Sequence, residues 1–339
     1  MFFGKFLWVG SVAFGTLIAV AGLAPIAGAQ SPDPAASVAD DGSTVPEVKR
    51  RATTSRSFQG TGRALRRGEK DDARANPESR LEQEETERRL RNAKPIRATS
   101  ASERGNRNVT IETIIGTDDR TLVRPTTSFP ASATVLIMFG DGGGDFLCSG
   151  FMISADTVAT AGHCVAPGDG SGFYDRTTYR VFPGRDGPDR PYSVCGARRL
   201  YSVGGWLNDG RDDFDYGAIK LKCDIGNTTG WYGFTSDYGG LDNPLRVQGY
   251  PGDKPKTQWS SNHRVTAQDS RRVYYRADTT GGMSGSPVWY NKEPGCTRCA
   301  IAIHAYGTSG STPPDSNSNH GTRINSTVFD KLTTWKDAP

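Results

Sequence analysis

From about residue 113 onward the sequence predicts an all-β fold finished by a C-terminal helix, on three observations. Short runs rich in Val, Ile, Tyr and Thr, such as Thr134-Val-Leu-Ile-Met-Phe139 and Leu245-Arg-Val-Gln-Gly-Tyr250, alternate with clusters of Gly, Asp, Asn and Pro. β-Branched and aromatic side chains suit a pleated, half-buried surface, and the punctuating residues suit turns, so the repetition reads as a sandwich or barrel. Near the end, Val328, Leu332 and Trp335, with Phe329 beside them, recur at helical spacing, which predicts a helix docked on the β domain. Finally, all six Cys (Cys148, Cys164, Cys195, Cys223, Cys296 and Cys299) fall within this region.

The chain starts differently. Lys5 is followed by an apolar run from Phe6 to Val20 and a small-residue stretch ending Ala27-Gly28-Ala29. A charged start, an apolar middle and an A-x-A site predict a secretory signal peptide over 1–29, cut after Ala29. A membrane anchor is the competing reading. Gly10, Gly15, Gly22 and Pro25 interrupt the apolar stretch and the cleavage site follows it, so no stable membrane association is expected.

Residues 30–112 carry no Cys or Trp and one aromatic residue, Phe58. Basic clusters, Lys49-Arg50-Arg51 and Arg66-Arg67, alternate with Ser, Thr and Pro. The piece from Arg80 to Arg91 predicts a charged helix with too few apolar residues to pack a core. Such a segment cannot bury enough apolar surface to offset its ordering entropy. It reads as a pro-segment or linker, with a disordered tail as the alternative.

An even number of Cys behind a signal peptide implies disulfides rather than zinc. Sequence does not choose among the possible connectivities; the pairing of neighbours, 148–164, 195–223 and 296–299, is the expectation. Cys296-Thr-Arg-Cys299 is also a C-x-x-C, but neither a thioredoxin-like context nor a second ligand pair accompanies it, so a structural bridge is expected there.

The stretch Thr279-Thr-Gly-Gly-Met-Ser-Gly-Ser-Pro-Val-Trp289 places Ser284 in a glycine turn. Serine is a poor nucleophile until a base takes its proton. His163, in Thr157-Val-Ala-Thr-Ala-Gly-His-Cys164, is the candidate base, held by the neighbouring Cys164. Asp215, at the mouth of the run Tyr-Gly-Ala-Ile, is the candidate that fixes the imidazole tautomer, with Asp212 and Asp213 as rivals. The turn would aim the backbone N–H groups of Gly282 and Ser284 at a developing oxyanion, and its glycines permit backbone geometry that a side chain would obstruct.

With "TAGHC", "DYGAIKL" and "GGMSGSPVW" in the order His, Asp, Ser, the chain resembles the chymotrypsin-fold serine peptidases, and more narrowly the bacterial glutamyl endopeptidase (V8-like) branch. "IIGTDDRTLV" (114–123), "GYPGDKPKTQW" (249–259) and "GTRINSTVFDKLTTWK" (321–336) extend the resemblance over nearly all of 113–336. It implies two six-stranded Greek-key β-barrels, about 113–225 and 226–339, with the triad in the cleft between them and the helix at the end of the second.

One count bears on specificity without any family. Residues 113–339 contain 22 Asp but a single Glu, Glu293, whereas residues 30–112 contain 9 Glu and 5 Asp. An enzyme that cuts after Glu benefits from removing Glu from itself while keeping it in a disposable pro-segment; chance composition is the alternative. Glu112 directly precedes Thr113, where the related mature chains begin, so cleavage after Glu112 would free the Thr113 amine. The resemblance implies that this amine helps neutralise the substrate carboxylate, that His304 in Ile301-Ala-Ile-His-Ala-Tyr-Gly307 receives it, and that Thr279 adds a hydroxyl. His304 could instead be a core histidine, and Ala305-Tyr306 departs from what often follows this His in the family, which bears on pocket size. Asp, one methylene shorter, should be cut more slowly.

His263 and His320 are expected at the surface, and no metal or cofactor is implied. Lys and Arg balance Asp and Glu at 23 each over 113–339, so the formal net charge of +4 comes from the leading residues. A mature domain without basic excess is not expected to bind nucleic acid. The expectation is a secreted, extracellular, monomeric serine endopeptidase acting on protein or peptide substrates after Glu, made as a zymogen. The alternatives are the same fold with another preference at the residue before the cut, or a protease-fold binding module.

Overall fold

The computed structural model describes residues 1, 33–46, 57–60, 79–96, 113–238, 240–241, 244–292, 296–308 and 314–339. The expected signal peptide with Ala29, and also Glu112 and Glu293, lie outside the described residues. From Asp33 onward the chain forms one compact unit.

Two β-barrels make up that unit. The first takes Thr134–Gly140, Asp145–Met152, Thr157–Thr160, Arg180–Pro183, Ala197–Val203 and Gly217–Leu221. Its ladders run first–second–third–sixth–fifth, and first–fourth. The ring closes where Val181 and Cys195 exchange N–H···O bonds of 2.8 and 3.1 Å. The second takes Pro244–Gly249, Trp259–Gln268, Arg272–Tyr275, Pro287–Lys292, Cys296–Tyr306 and Asn319–Arg323. It closes in the same order, because Pro287–Lys292 pairs with both Pro244–Gly249 and Cys296–Tyr306. The second ring is closed by full ladders, whereas the first closes through that one bridge and leaves Tyr201–Val203 to pair with Ser37–Ala39. The strand Thr134–Gly140 is buried at every position, which is why it reads as a continuous apolar run rather than an alternation.

Disulfides join Cys148 to Cys164, Cys195 to Cys223 and Cys296 to Cys299. The first ties the second strand of the first barrel to the turn that follows its third.

The expected split near 225 separates the strands but not the chain ends, which cross over. Thr121–Leu122 pairs with Trp259–Ser260 of the second barrel. The helix Ser326–Asp337, capped by the Asn325 side chain accepting from Val328 N, packs on the first. Trp335 stacks on Tyr201 with ring centroids 5.9 Å apart and lies 5.8 Å from Tyr216, while Lys220 Nζ donates to Lys336 O. Each terminus thus straps one barrel to the other, which no local pattern encodes.

Parts of the stretch 30–112, expected to be a pro-segment or linker, are also placed. Arg80–Asn92 is a helix with a capping box between Ser79 and Glu82. The helix expected to have too few apolar residues to pack a core does pack, against residues that the barrels supply. Leu90 and Ala93 pack with Leu136, Met138, Leu147, Phe182 and Tyr250. Glu87 accepts from Arg185 at 2.9 and 2.8 Å, and Arg89 Nε donates to Asp145 at 2.9 Å. Lys94–Pro95 then runs parallel to Phe146–Leu147, adding a strand to the first barrel.

Candidate active site

Adjacent antiparallel strands bring His163 and Asp215 to one end of the first barrel. Gly217 of Gly217–Leu221 lies opposite Thr160 of Thr157–Thr160. Asp215 enters the first of these strands, and His163 leaves the second in the 3-10 turn Gly162–Cys164. Asp215 is fully buried. Its Oδ1 accepts the His163 backbone N–H at 2.9 Å, and Oδ2 meets His163 Nδ1 at 2.7 Å. Gly162 permits the approach, since a Cβ there would lie 2.9 Å from the Trp206 ring and 3.0 Å from Asp215 Oδ1. From the second barrel, Thr322 Oγ1 donates to the Asp215 carbonyl at 2.9 Å. The two rival carboxylates are engaged elsewhere, Asp212 with Arg272 and Asp213 with Arg211 and Arg271.

Ser284 sits in a turn held from both barrels. Its carbonyl accepts from Ser149 N at 2.8 Å and lies 3.8 Å from Cys164 Sγ, one residue from His163. Ser149 Oγ donates to Gly282 O and accepts from Tyr250 N, both at 2.8 Å. Gly282 and Gly285 adopt φ of 100° and 85°, the region that favours glycine. Gly281 O accepts from Gly252 N at 2.7 Å and Met283 O from Ser286 N at 2.9 Å. In a trans peptide the N–H points opposite to the C=O, so the amides of Gly282 and Ser284 are aimed away from those contacts.

His304 is bonded into this turn: Gly285 N donates to its carbonyl at 2.7 Å, and its own N–H donates to Ser286 O at 2.9 Å. The ring is fully buried. Burial, with His320 and His163 nearby, pushes its pKa down to about 3, so the imidazole is neutral. Tyr275 Oη meets Nδ1 at 2.6 Å. The other ring nitrogen, Nε2, and Thr279 Oγ1 are buried polar atoms with no hydrogen-bond partner among the described residues.

Thr113 lies beside them. Its N donates to Asn319 Oδ1 at 3.1 Å, and its carbonyl accepts from Asn319 Nδ2 at 2.7 Å and from Thr279 N at 3.4 Å. Sequence reasoning missed Asn319, Ser149, Thr322 and Tyr275, which are common polar residues whose partners lie far along the chain. His320, expected at the surface, is instead 2% exposed between Tyr274 and Tyr306, ring centroids 5.3 and 5.1 Å away. Its Ser- and Asn-rich approach reads as a loop, while its own strand fills the second ring. His263 is half-buried on its strand.

A trypsin-like peptidase domain profile matches residues 148–293. The chain is 39% identical over 233 residues to a glutamyl endopeptidase of Bacillus licheniformis, covering 67% of this chain and 70% of that protein. It is 40% identical over 228 residues to a Bacillus subtilis protein named extracellular metalloprotease, covering 66% and 69%. A solved Glu endopeptidase structure superposes with a TM-score of 0.57 at 26% identity, covering 66% of this chain and 100% of that one. Cys148, His163 and Cys164 have ligand-type atoms within 4.8 Å of one another, but the two sulfurs are bonded to each other, leaving an ion one imidazole.

Proposed function

The chain belongs to the glutamyl endopeptidase branch of the chymotrypsin-fold serine peptidases, and from that membership we propose a secreted endopeptidase that cuts after Glu, and more slowly after Asp. Its layout is a signal peptide over 1–29, a pro-segment over 30–112 and a peptidase domain over 113–339. Substrates are proteins and peptides, and the mature enzyme works as a monomer.

In the proposed mechanism His163 Nε2, the ring nitrogen not held by Asp215, takes the Ser284 hydroxyl proton as Oγ attacks the scissile carbonyl. Asp215 keeps the tautomer and stabilises the imidazolium. The Gly282 and Ser284 amides receive the oxyanion. Collapse breaks the C–N bond, the imidazolium protonates the leaving amine, and water repeats the sequence on the acyl-enzyme with His163 again as base.

The observation that carries the specificity is the partnerless pair His304 Nε2 and Thr279 Oγ1. Burying donors without acceptors costs about 1–3 kcal/mol each, and a bound carboxylate supplies acceptors for both. With Tyr275 donating to Nδ1, the neutral imidazole carries its hydrogen on Nε2 and offers a hydrogen bond rather than a charge. The positive charge then comes from the Thr113 amine freed by cleavage after Glu112.

Docking of the pro-segment supports the zymogen reading. A Cβ on Gly252 would lie 2.2 Å from Pro95 Cγ, and Gly252 is bonded to Gly281 of the Ser284 turn. The deciding experiment digests an unstructured protein mixture with mature enzyme and reads every new C-terminus by mass spectrometry. Glu should dominate with Asp a distant second; cuts after apolar or basic residues would remove the Glu reading and leave the peptidase.

A further inference from the structure

We propose that Asn319 is a positioning residue for substrate selection: its carboxamide clamps both backbone atoms of Thr113 and so fixes the mature α-amine beside the carboxylate pocket. The proposal rests on the reading above that cleavage after Glu112 frees that amine and that the amine serves the pocket.

The clamp is fully determined by its bonds. Asn319 is completely buried. Oδ1 accepts from Thr113 N at 3.1 Å, while Nδ2 donates to Thr113 O at 2.7 Å and to Ala277 O at 2.8 Å. Both Nδ2 hydrogens are therefore used, and turning the amide over would set Oδ1 against two carbonyls. The Thr113 side chain is pinned as well, by a 3.0 Å contact between its Oγ1 and Thr308 Oγ1.

The sheet relates this clamp to the pocket. Asn319 lies opposite Tyr275, whose hydroxyl meets His304 Nδ1. Two residues further along the same strand, Gly321 lies opposite His304. A Cβ at Gly321 would lie 2.9 Å from His304 Cα, so this glycine lets the two strands close up around the imidazole. The Thr113 carbonyl also accepts from Thr279 N, which sets Thr113 against the residue that supplies the pocket hydroxyl.

Cleavage of the 112–113 bond turns one N–H into an ammonium group with three. One hydrogen remains on Asn319 Oδ1, and the other two are free for a substrate carboxylate. Because the carboxamide is neutral, it holds the ammonium without cancelling its charge. Thr113 already occupies this position in the precursor, so processing adds charge at a prepared point and needs no refolding of the pocket.

The test compares mature Asn319→Ala and Asn319→Ser with native enzyme on paired peptides carrying Glu or Gln before the cut. A fourth chain, with native Asn319, begins one residue earlier so that its amine is displaced. Fluorophosphonate labelling at the native rate first establishes that Ser284 is competent in each. Expected is a roughly tenfold rise in KM for the Glu peptide in both variants, with kcat and Gln-peptide turnover changed less than twofold. The extended chain should lose the same Glu preference, and a fifth chain, extended and carrying Asn319→Ala, should lose no more than Asn319→Ala alone. If the variants keep the native Glu-to-Gln ratio while the extended chain loses it, the amine acts without Asn319 and the proposal falls. If the extended chain keeps the ratio, the amine reading itself falls. Should neither variant label, a crystal structure of the native mature enzyme decides: an amine out of hydrogen-bond reach of Asn319 Oδ1 overturns the clamp.

Discussion

Asp215 grips His163 at two atoms, taking the backbone N–H on Oδ1 at 2.9 Å and facing ring Nδ1 with Oδ2 at 2.7 Å. The backbone bond fixes where the residue sits, and the ring bond fixes which nitrogen carries the proton. Asp215→Asn preserves the shape but can turn an N–H toward Nδ1, which moves the imidazole hydrogen to Nε2 and removes the base. Turnover should fall by roughly 10⁴-fold with the thermal midpoint little changed. A loss below tenfold would show that another group orients His163.

Ser149 links the barrels at the nucleophile, and its role is separable from the chemistry. Ser149→Ala removes the bonds to Gly282 O and Tyr250 N while leaving the backbone bond to Ser284 O in place. The expected cost is about 1–3 kcal/mol of stability. With Gly282 O no longer held, the turn carrying the Gly282 and Ser284 amides should loosen and lower kcat by roughly tenfold, with KM nearly constant. Unchanged kcat in the folded variant would mean that the glycine backbone alone sets the turn.

His304 offers a different signature. On the proposed reading, in which His304 Nε2 serves only a carboxylate, His304→Ala should reduce turnover of substrates with Glu before the cut far more than turnover of neutral ones. Equal losses on both would assign the ring to the fold through Tyr275 and not to the pocket.

The pairing of His163 with Asp215 and the glycine turn around Ser284 were readable in one dimension because they lie in short stretches of distinctive residue types. Gly162, Gly282 and Gly285 stand where a Cβ would strike a neighbour or φ is positive, and such positions write themselves into short motifs. Asn319, Ser149 and Thr322 were not readable. Each acts on a residue more than a hundred positions away, Asn319 on Thr113, Ser149 on Gly282 and Thr322 on Asp215, and an isolated Asn, Ser or Thr carries no local signature. The exchange of chain ends between barrels and the borrowed core under Leu90 are equally non-local: the helix shows its few apolar residues, but the surface that receives them is built by strands of the other segment.

That docking makes the precursor testable in two steps. Glu112→Gln should leave the chain unprocessed and nearly inactive on a small peptide substrate. Adding Glu87→Ala to it leaves Arg185, whose side chain is 3% exposed, without its carboxylate; breaking one partner of a buried pair is strongly destabilising. The helix should loosen, Pro95 should withdraw from Gly252, and activity of the double variant should rise several-fold over Glu112→Gln alone. Normal maturation of Glu112→Gln would show that the boundary is cut elsewhere.

Two buried neutral histidines also set an acid limit on stability. Burial holds His304 and His320 down to a pKa of about 3 each, from 6.5 in the unfolded chain. Between those values the unfolded state binds protons that the native state refuses, so stability is full above pH 6.5 and falls as pH drops toward 3. The slope approaches about 1.4 kcal/mol per pH unit for each ring. His320 serves as the probe because it lies outside the proposed carboxylate contact. Urea midpoints measured between pH 6 and 5 on Ser284→Ala, which prevents self-digestion, should fall with pH, and adding His320→Gln should make that fall shallower. Carboxylates held low by partners, such as Asp118 beside Arg120, enter only at lower pH, whereas burial raises Asp212 and Asp278, so the difference between the two chains, and not the total slope, reports the His320 ring. An unchanged slope in the His320→Gln chain would mean that His320 gains its proton in the native state, and that its place between Tyr274 and Tyr306 opens to water in solution.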